Sequence, residues 1–221
     1  ADKARFLRHV SHELKTPLAA LREGVSLLED GVAGELSADQ REVAAILRQN
    51  TALLQNQIEA LLRFNAAAFE ARQMQREPMD LLQLLEAQVD AQRLQWRAHQ
   101  LAVRIEGESV VARVDADKLG TAVANLLSNA IRFSPEGGSI TLRLATQAGQ
   151  VCIDVADQGP GVAEADRERV FEPFYRGQRQ PEGAVRGNGI GLSIVQEYIA
   201  AHGGKITLLA GSPGAHFRIE F

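Results

Sequence analysis

The run Phe6-Leu7-Arg8-His9-Val10-Ser11-His12-Glu13-Leu14-Lys15-Thr16-Pro17-Leu18 sets a histidine beside a carboxylate in an amphipathic helical pattern, five residues ahead of a proline. Leu7, Ser11, Leu14, Leu18, Leu21, Val25 and Leu28 recur in steps of four and three, the heptad-like spacing of a helix seam. His12 falls one position beyond Ser11, so it is expected off the seam, toward solvent. An imidazole with an ordinary pKa of ~6.5 is largely neutral, and so nucleophilic, at neutral pH. Glu13 can accept a hydrogen bond from one ring nitrogen and leave the other to attack. Thr16 lies four residues on, on the same face, where its hydroxyl can orient a water. Pro17 brings no N–H to the position four residues upstream, which predicts a local bend. His12-Glu13 alone would fit a solvent-facing histidine on a charged helix; the whole run argues for a nucleophile. His9 has no adjacent carboxylate and reads as a surface residue.

Outward from this run, Gly31 and Gly34 end the first helical pattern. Ser37 with Gln40 forms a capping-box signature for a second helix. That helix carries Val43, Ile46, Leu47, Leu54, Ile58, Leu61 and Leu62, so residues 1–75 read as an α-helical hairpin. Its apolar stripes are too wide for one hairpin to cover. A homodimeric four-helix bundle is expected in preference to a hairpin packed on the rest of the chain.

Residues 76–221 change character. Pro78 closes the helical region, and Asp80 is placed to cap a helix to about Trp96. Residues 101–105 and 110–114 alternate as strands. Asp115 or Asp117 caps a helix to about Phe133, Ser134 to Gly138 form a turn, and 140–145 and 151–155 read as a strand hairpin. A glycine- and charge-rich stretch, 157–187, precedes a helix near 190–201, and 206–209 and 217–221 close as strands. This part is therefore α+β, with helices against one face of a mixed sheet.

With 221 residues and 45% apolar side chains, the chain suits one large domain or two modest ones. A net charge of −4 leaves no broad basic surface, so nucleic acid is not an expected partner. The single cysteine, Cys152, excludes an internal disulfide framework and sits in an apolar run as a core residue. No stretch approaches the ~18–20 consecutive apolar residues that span a bilayer, and there is no signal peptide. Opening inside a helical pattern without a start methionine, the chain reads as a piece of something longer.

Three segments carry a second chemistry. Asn125, Asn129 and Arg132 share one helical face, where amide oxygens and a guanidinium suit a Mg²⁺-bound triphosphate. Asp157-Gln158-Gly159-Pro160-Gly161 follows a strand; a carboxylate there can accept from an exocyclic amine, and glycines let backbone approach a planar base. Gly187-Asn188-Gly189-Ile190-Gly191-Leu192-Ser193 precedes a helix, leaving backbone N–H groups open to phosphate at a helix N-terminus. Neither the dinucleotide spacing nor the Walker Gly-Lys-Ser/Thr ending is present.

The first run resembles the H-box of bacterial sensor histidine kinases of the HisKA type. The resemblance implies His12 as phosphoacceptor, Glu13 as the acid/base beside it, and Thr16 as a residue that helps dephosphorylate a partner. In order and spacing, the later segments resemble the N, G1 and G2 boxes of the GHKL ATPases, and Phe171-Glu172-Pro173-Phe174-Tyr175-Arg176 resembles the kinase F box. The implied fold is a GHKL/Bergerat α+β sandwich binding ATP and Mg²⁺. Asn125 and Asn129 would lie near the phosphates, with Asn129 the metal ligand, and Asp157 would bind adenine. Gly159, Gly161, Gly187, Gly189 and Gly191, with Leu192, would shape the pocket and lid hinges. Arg132 would touch phosphate, and Arg176 and Arg179 are candidates for the γ-phosphate.

Residues 162–186 would form a lid. Phe171 and Phe174 are expected to anchor it rather than stack on the base. Gln158 stands where the family often has Asn, and the turn 211–217 matches the family only loosely. The resemblance further implies a homodimer, a response-regulator receiver domain as partner, and an upstream membrane sensor outside these residues. The parent would then be a bacterial inner-membrane protein with this part in the cytoplasm. A non-catalytic nucleotide-binding scaffold and an ATP-driven clamp are the rival readings. The presence of His12, Glu13 and Asn129 argues against the scaffold, and an exposed histidine on a dimer helix, which a hydrolytic clamp does not need, argues against the clamp.

Overall fold

A computed structural model describes residues 2–179, 187–210 and 214–221, with residues 2–12 described by backbone alone. The chain divides into two compact units, Ala1–Phe69 and Glu70–Phe221. The first unit consists of helices α1 (Asp2–Glu29) and α2 (Ala38–Glu70). The amide of Val32 donates to Leu27 O at 3.1 Å around Gly31, whose φ of +75° suits the left-handed residue of a helix stop. Ser37 N donates to Gln40 Oε1 at 2.8 Å while Gln40 N donates to Ser37 Oγ at 3.2 Å, the reciprocal capping box. Arg48 of α2 reaches Glu29 of α1 at 3.2 Å.

Burial in this unit follows the predicted seam only in part. Leu18 and Val25 are buried on α1, as the spacing predicts, but Leu21 and Leu28 are exposed. On α2 the buried line is Ala44, Thr51, Ala60 and Ala67, while Val43, Ile46, Leu47, Leu53, Leu54 and Leu61 are exposed. Small side chains therefore take the close approach, and the larger ones form a second apolar face that one hairpin leaves uncovered.

The second unit begins with a two-stranded antiparallel ribbon of β1 (Glu77–Asp80) and β3 (Val111–Val114). Between them lie α3 (Leu81–Ala91), α4 (Arg93–Ala98) and β2 (Ala102–Gly107). Then come α5 (Ala116–Phe133), β4 (Ser139–Gln147), β5 (Gln150–Ala156), a 3₁₀ turn at Glu164–Asp166, α6 (Gly191–Ala201), β6 (Lys205–Leu208) and β7 (His216–Glu220). The main sheet runs β2-β4-β5-β7-β6, parallel only between β2 and β4. Ile140, Leu142, Leu144, Val151, Ile153, Val155, Phe217 and Ile219 point to one face. There they form one core with Leu81 and Leu85 of α3, Leu119, Val123, Leu126 and Leu127 of α5, and Val195 and Ile199 of α6. The other sheet face is polar, with buried Asp154 held by Arg218 through bonds of 2.7 and 2.9 Å. Phe221 and Val151 exchange backbone hydrogen bonds of 2.8 and 3.1 Å, so the last residue is tied to the start of β5.

Two local expectations change. Pro78 does not merely end a helix; it sits in β1, a ribbon edge where a missing N–H is tolerated. The helix capped by Asp80, through Leu82 N and Gln83 N, breaks at Gln92 and resumes as α4, with Trp96 Nε1 donating back to Val89 O at 3.0 Å. Asp115, not Asp117, caps α5, accepting from Lys118 N at 3.1 Å. Cys152 is buried, as its apolar run predicts.

Candidate nucleotide site and phosphoacceptor helix

Helix α1 runs unbroken through Pro17, with no interruption at the position where a bend is expected. Position 12 lies within it, four residues before Thr16. The His12 side chain is outside the described residues. Glu13 and Thr16 are exposed, Leu14 is half-buried and Leu18 is buried. This part of the helix thus turns Leu14 and Leu18 inward and presents Glu13 and Thr16 to solvent.

The nucleotide-site segments converge on α5 and the start of α6. Asn125, Asn129 and Arg132 lie on α5, all half-buried. At Gly191, the first residue of α6, a Cβ would stand 3.5 Å from Asn125 Oδ1, an ordinary contact distance, so the start of α6 lies directly against the Asn125 amide. A Cβ on Gly187 would overlap the Arg132 guanidinium. Gly189 has φ of +67°, and its carbonyl accepts from Phe174 N at 2.8 Å, stitching the glycine turn to the Phe171–Arg176 segment. Among the described residues no side chain caps α6; Ile190 stands at its N-cap. Its first amides are open to an anion, with the positive end of the helix dipole behind them.

Arg132 makes the electrostatics explicit. Its guanidinium lies 4.4 Å from the Phe133 ring centre, and its Nε is buried with no hydrogen-bond partner among the described residues. Burial, and then the positive charge of Arg176, push its pKa down. Two cations crowded beneath a glycine turn fit a polyphosphate, whose oxygens would satisfy the orphaned N–H.

Asp157 stands just past β5 with 8% of its surface exposed. Its Oδ1 accepts from Gly159 N at 2.8 Å and Ala215 N at 3.0 Å. Burial pushes its carboxyl upward against the pull of these two amides. The turn is closely built: a Cβ on Gly159 would lie 2.5 Å from Phe133 O, and one on Gly214 would overlap the Asp157 carbonyl. Gln158 Oε1 accepts from Ser139 N at 2.9 Å, pinning the start of β4.

Several contributors were not singled out in the sequence. Gly214 and Ala215, in the loosely matching final turn, close over Asp157. Asp166 organises residues 166–179: its carboxylate takes the Tyr175 hydroxyl and the Gln178 amide, each at 2.7 Å. These bonds, the amide first, hold its pKa down. Gly177 makes room, since a Cβ there would lie 2.9 Å from Asp166 Oδ2. Arg179 donates to the Pro160 carbonyl, joining this segment to the Asp157 turn. Phe171 stacks edge-on against Phe217 at 6.2 Å, whereas Phe174 is 43% exposed at φ of +67°. The rest of the expected lid, 180–186, lies outside the described residues. Among the described residues no group of three or more His, Cys, Asp or Glu could cage a metal. Asn129 and its neighbours suit instead an ion that draws its other ligands from phosphate and water.

Comparison with known proteins gives this geometry its class. Residues 2–68 match the family described as His Kinase A (phospho-acceptor) domain, and residues 114–221 match Histidine kinase-, DNA gyrase B-, and HSP90-like ATPase. The sensor histidine kinase GlrK of Escherichia coli (strain K12) is 38% identical over 221 residues, covering all of this chain and 46% of that protein. The crystal structure of ShkA full-length in complex with AMPPNP matches with a TM-score of 0.69 at 28% identity, over 99% of this chain and 45% of that one. The mycobacterial sensor histidine kinase MprB matches with a TM-score of 0.58 at 29% identity, over 66% of this chain and 97% of that one. The chain spans less than half the length of the curated relatives it matches from end to end, GlrK among them. This chain belongs to the sensor histidine kinases, with a HisKA hairpin followed by a GHKL ATPase domain.

Proposed function

We propose that the chain is the cytoplasmic catalytic core of a sensor histidine kinase that phosphorylates itself on His12 with ATP and passes the phosphoryl group to a response-regulator aspartate. The observation that carries this reading is the orphaned Nε of Arg132, buried beside Arg176 under the glycine turn at the uncapped end of α6. ATP is the phosphoryl donor, and Asn129, with Asn125 nearby, would hold a Mg²⁺ ion that would supply charge neutralisation at the phosphates. Asp157 accepts from the adenine amine through the oxygen not spent on Gly159 and Ala215. Gly159 and Gly161 let the backbone approach the base. Gly187, Gly189, Gly191 and Leu192 line the phosphate end, where Arg132 and Arg176 bind oxygens.

On α1, one ring nitrogen of His12 is the nucleophile, and Glu13 orients the ring and takes the proton from the other nitrogen as the N–P bond forms and the bond to ADP breaks. Thr16, exposed one turn on, orients a water that hydrolyses the aspartyl phosphate of the regulator, releasing inorganic phosphate and restoring the carboxylate. The uncovered apolar face of α2 supports a homodimer. An upstream sensor would set the parent in the inner membrane; no helix among the described residues is long and apolar enough to cross one.

The test is incubation with γ-labelled ATP and Mg²⁺ beside His12→Ala and Asn129→Ala. Acid-labile, base-stable label in the parent and in neither variant is expected. Label persisting in His12→Ala would move the acceptor elsewhere, and nucleotide binding without label would leave a signalling scaffold.

A further inference from the structure

Residues 70–76, which follow the helical unit, are held on the second unit by side chains that the nucleotide site does not use. The Tyr198 hydroxyl donates to Glu70 Oε2 at 2.8 Å. Lys118 Nζ donates to Gln73 O at 3.1 Å and to Asp115 Oδ2 at 2.6 Å. The same Asp115 oxygen accepts from Gln75 N at 2.9 Å. Arg76 Nη2 donates to Ala201 O at 2.7 Å, placing a cation at the C-terminus of α6.

His202 locks these partners together. Its Nε2 accepts from Asp115 N at 3.0 Å, so its Nδ1, 2.7 Å from Tyr198 O, carries the proton and donates. Tyr198 is 6% exposed and His202 7%, so both are built into the fold.

The clasp closes on the ends of α5 and α6 remote from the nucleotide. Tyr198 lies seven residues after Gly191, about 10 Å along α6, and Asp115 ten residues before Asn125, about 15 Å along α5. None of its groups can touch ATP from there. Its effect falls on the tether. If freed, a flexible segment of this length would span about 15 Å and lower the effective concentration of one unit's substrate at the other's nucleophile.

We propose that the clasp of Glu70, Gln73, Gln75 and Arg76 on Asp115, Lys118 and Tyr198 is a positioning element for phosphoryl transfer, limiting the volume in which the ATP-binding unit presents its substrate to His12. The proposal rests on the kinase reading given above.

The test uses the full chain as Tyr198→Phe, Glu70→Ala and Glu70→Gln, with Arg76→Ala as a second probe because that side chain is exposed and outside the core. Three quantities are measured: affinity for a fluorescent ATP analogue, initial rate of acid-labile labelling at saturating ATP, and the rate of tryptic cutting after Arg72. Tyr198→Phe, Glu70→Ala and Arg76→Ala should slow labelling roughly three- to tenfold with affinity unchanged within about twofold, and should speed cutting. Glu70→Gln keeps an acceptor oxygen and should behave as the parent. Labelling that is unchanged or faster overturns the proposal, as does a parallel loss of nucleotide affinity, which would mark the contacts as fold support alone. If the parent gives no label, the kinase reading fails and the positioning role with it. Cutting at Arg72 then still reports whether the clasp holds.

Discussion

Asp157 carries two opposed demands. It must stay ionised to hold Gly159 and Ala215 and, in the function proposed above, to receive an amine, yet burial pushes its pKa up. A raised pKa means the folded chain binds this proton at higher pH than the unfolded chain does. The buried charge therefore costs stability at neutral pH, and that cost fades as pH falls through the raised value. Nucleotide binding runs the other way: affinity should weaken on acidification while surface carboxylates are still ionised, as a nucleotide titration across pH would show. Asp157→Ala should lower nucleotide affinity at least tenfold and cost about 1–3 kcal/mol in thermal unfolding, because two amides lose their acceptor.

His202 has the opposite sign, its pKa lowered chiefly by burial. Its stabilisation is present above the ordinary ~6.5 and is lost as pH falls through the lowered value. His202→Gln, which can accept and donate as the neutral ring does, should flatten the fall in melting temperature between about pH 7 and 5. The sequence exposed Asp157 because its glycines stand beside it. It hid Ala215, 58 residues away, and Asp166, whose partners lie 9 and 12 residues on with no motif between.

At the scale of elements, periodicity was a good guide wherever one face of a segment is buried. The helix near 190–201 and the strands at 140–145 and 151–155 lie close to where alternation puts them. The ribbon strand β1 escaped because it is four residues long, half exposed, and contains a proline. The break at Gln92 escaped because the apolar pattern continues through it to Trp96. Two elements invite direct tests. Ser37→Ala removes one arm of the α2 capping box and should cost about 0.5–2 kcal/mol, read by chemical denaturation. Asp166→Asn keeps an acceptor for Tyr175 but gives up the charge that holds Gln178. Protease should then cut within 166–179 faster, and nucleotide affinity should drop several-fold.

For the molecule as a whole, the hairpin poses the question its sequence raised. Of the α2 stripe Val43, Ile46, Leu47, Leu54, Ile58, Leu61 and Leu62, too wide for one partner, Ile58 and Leu62 are half-buried and the other five remain exposed while small side chains take the seam. If a second copy covers that face, Leu47→Glu with Leu54→Glu should yield monomers in sedimentation velocity at concentrations where the parent is dimeric. ATP-analogue binding should survive, since those residues lie outside the second unit. Periodicity alone could not separate the two faces of α2. The contrast between small and large side chains, which decides which face meets α1, emerges only once the helices are packed.

The pairing of Phe221 with Val151 carries a practical consequence. β5 enters beside the last residue and leaves at Asp157, so the two ends of that strand stand about 20 Å apart. A fluorophore or fusion joined after Phe221 would emerge at the rim of the sheet far from Asp157. Energy transfer from such a label to a dye-bearing nucleotide would then follow occupancy in real time, with the reporter itself out of the ligand's way.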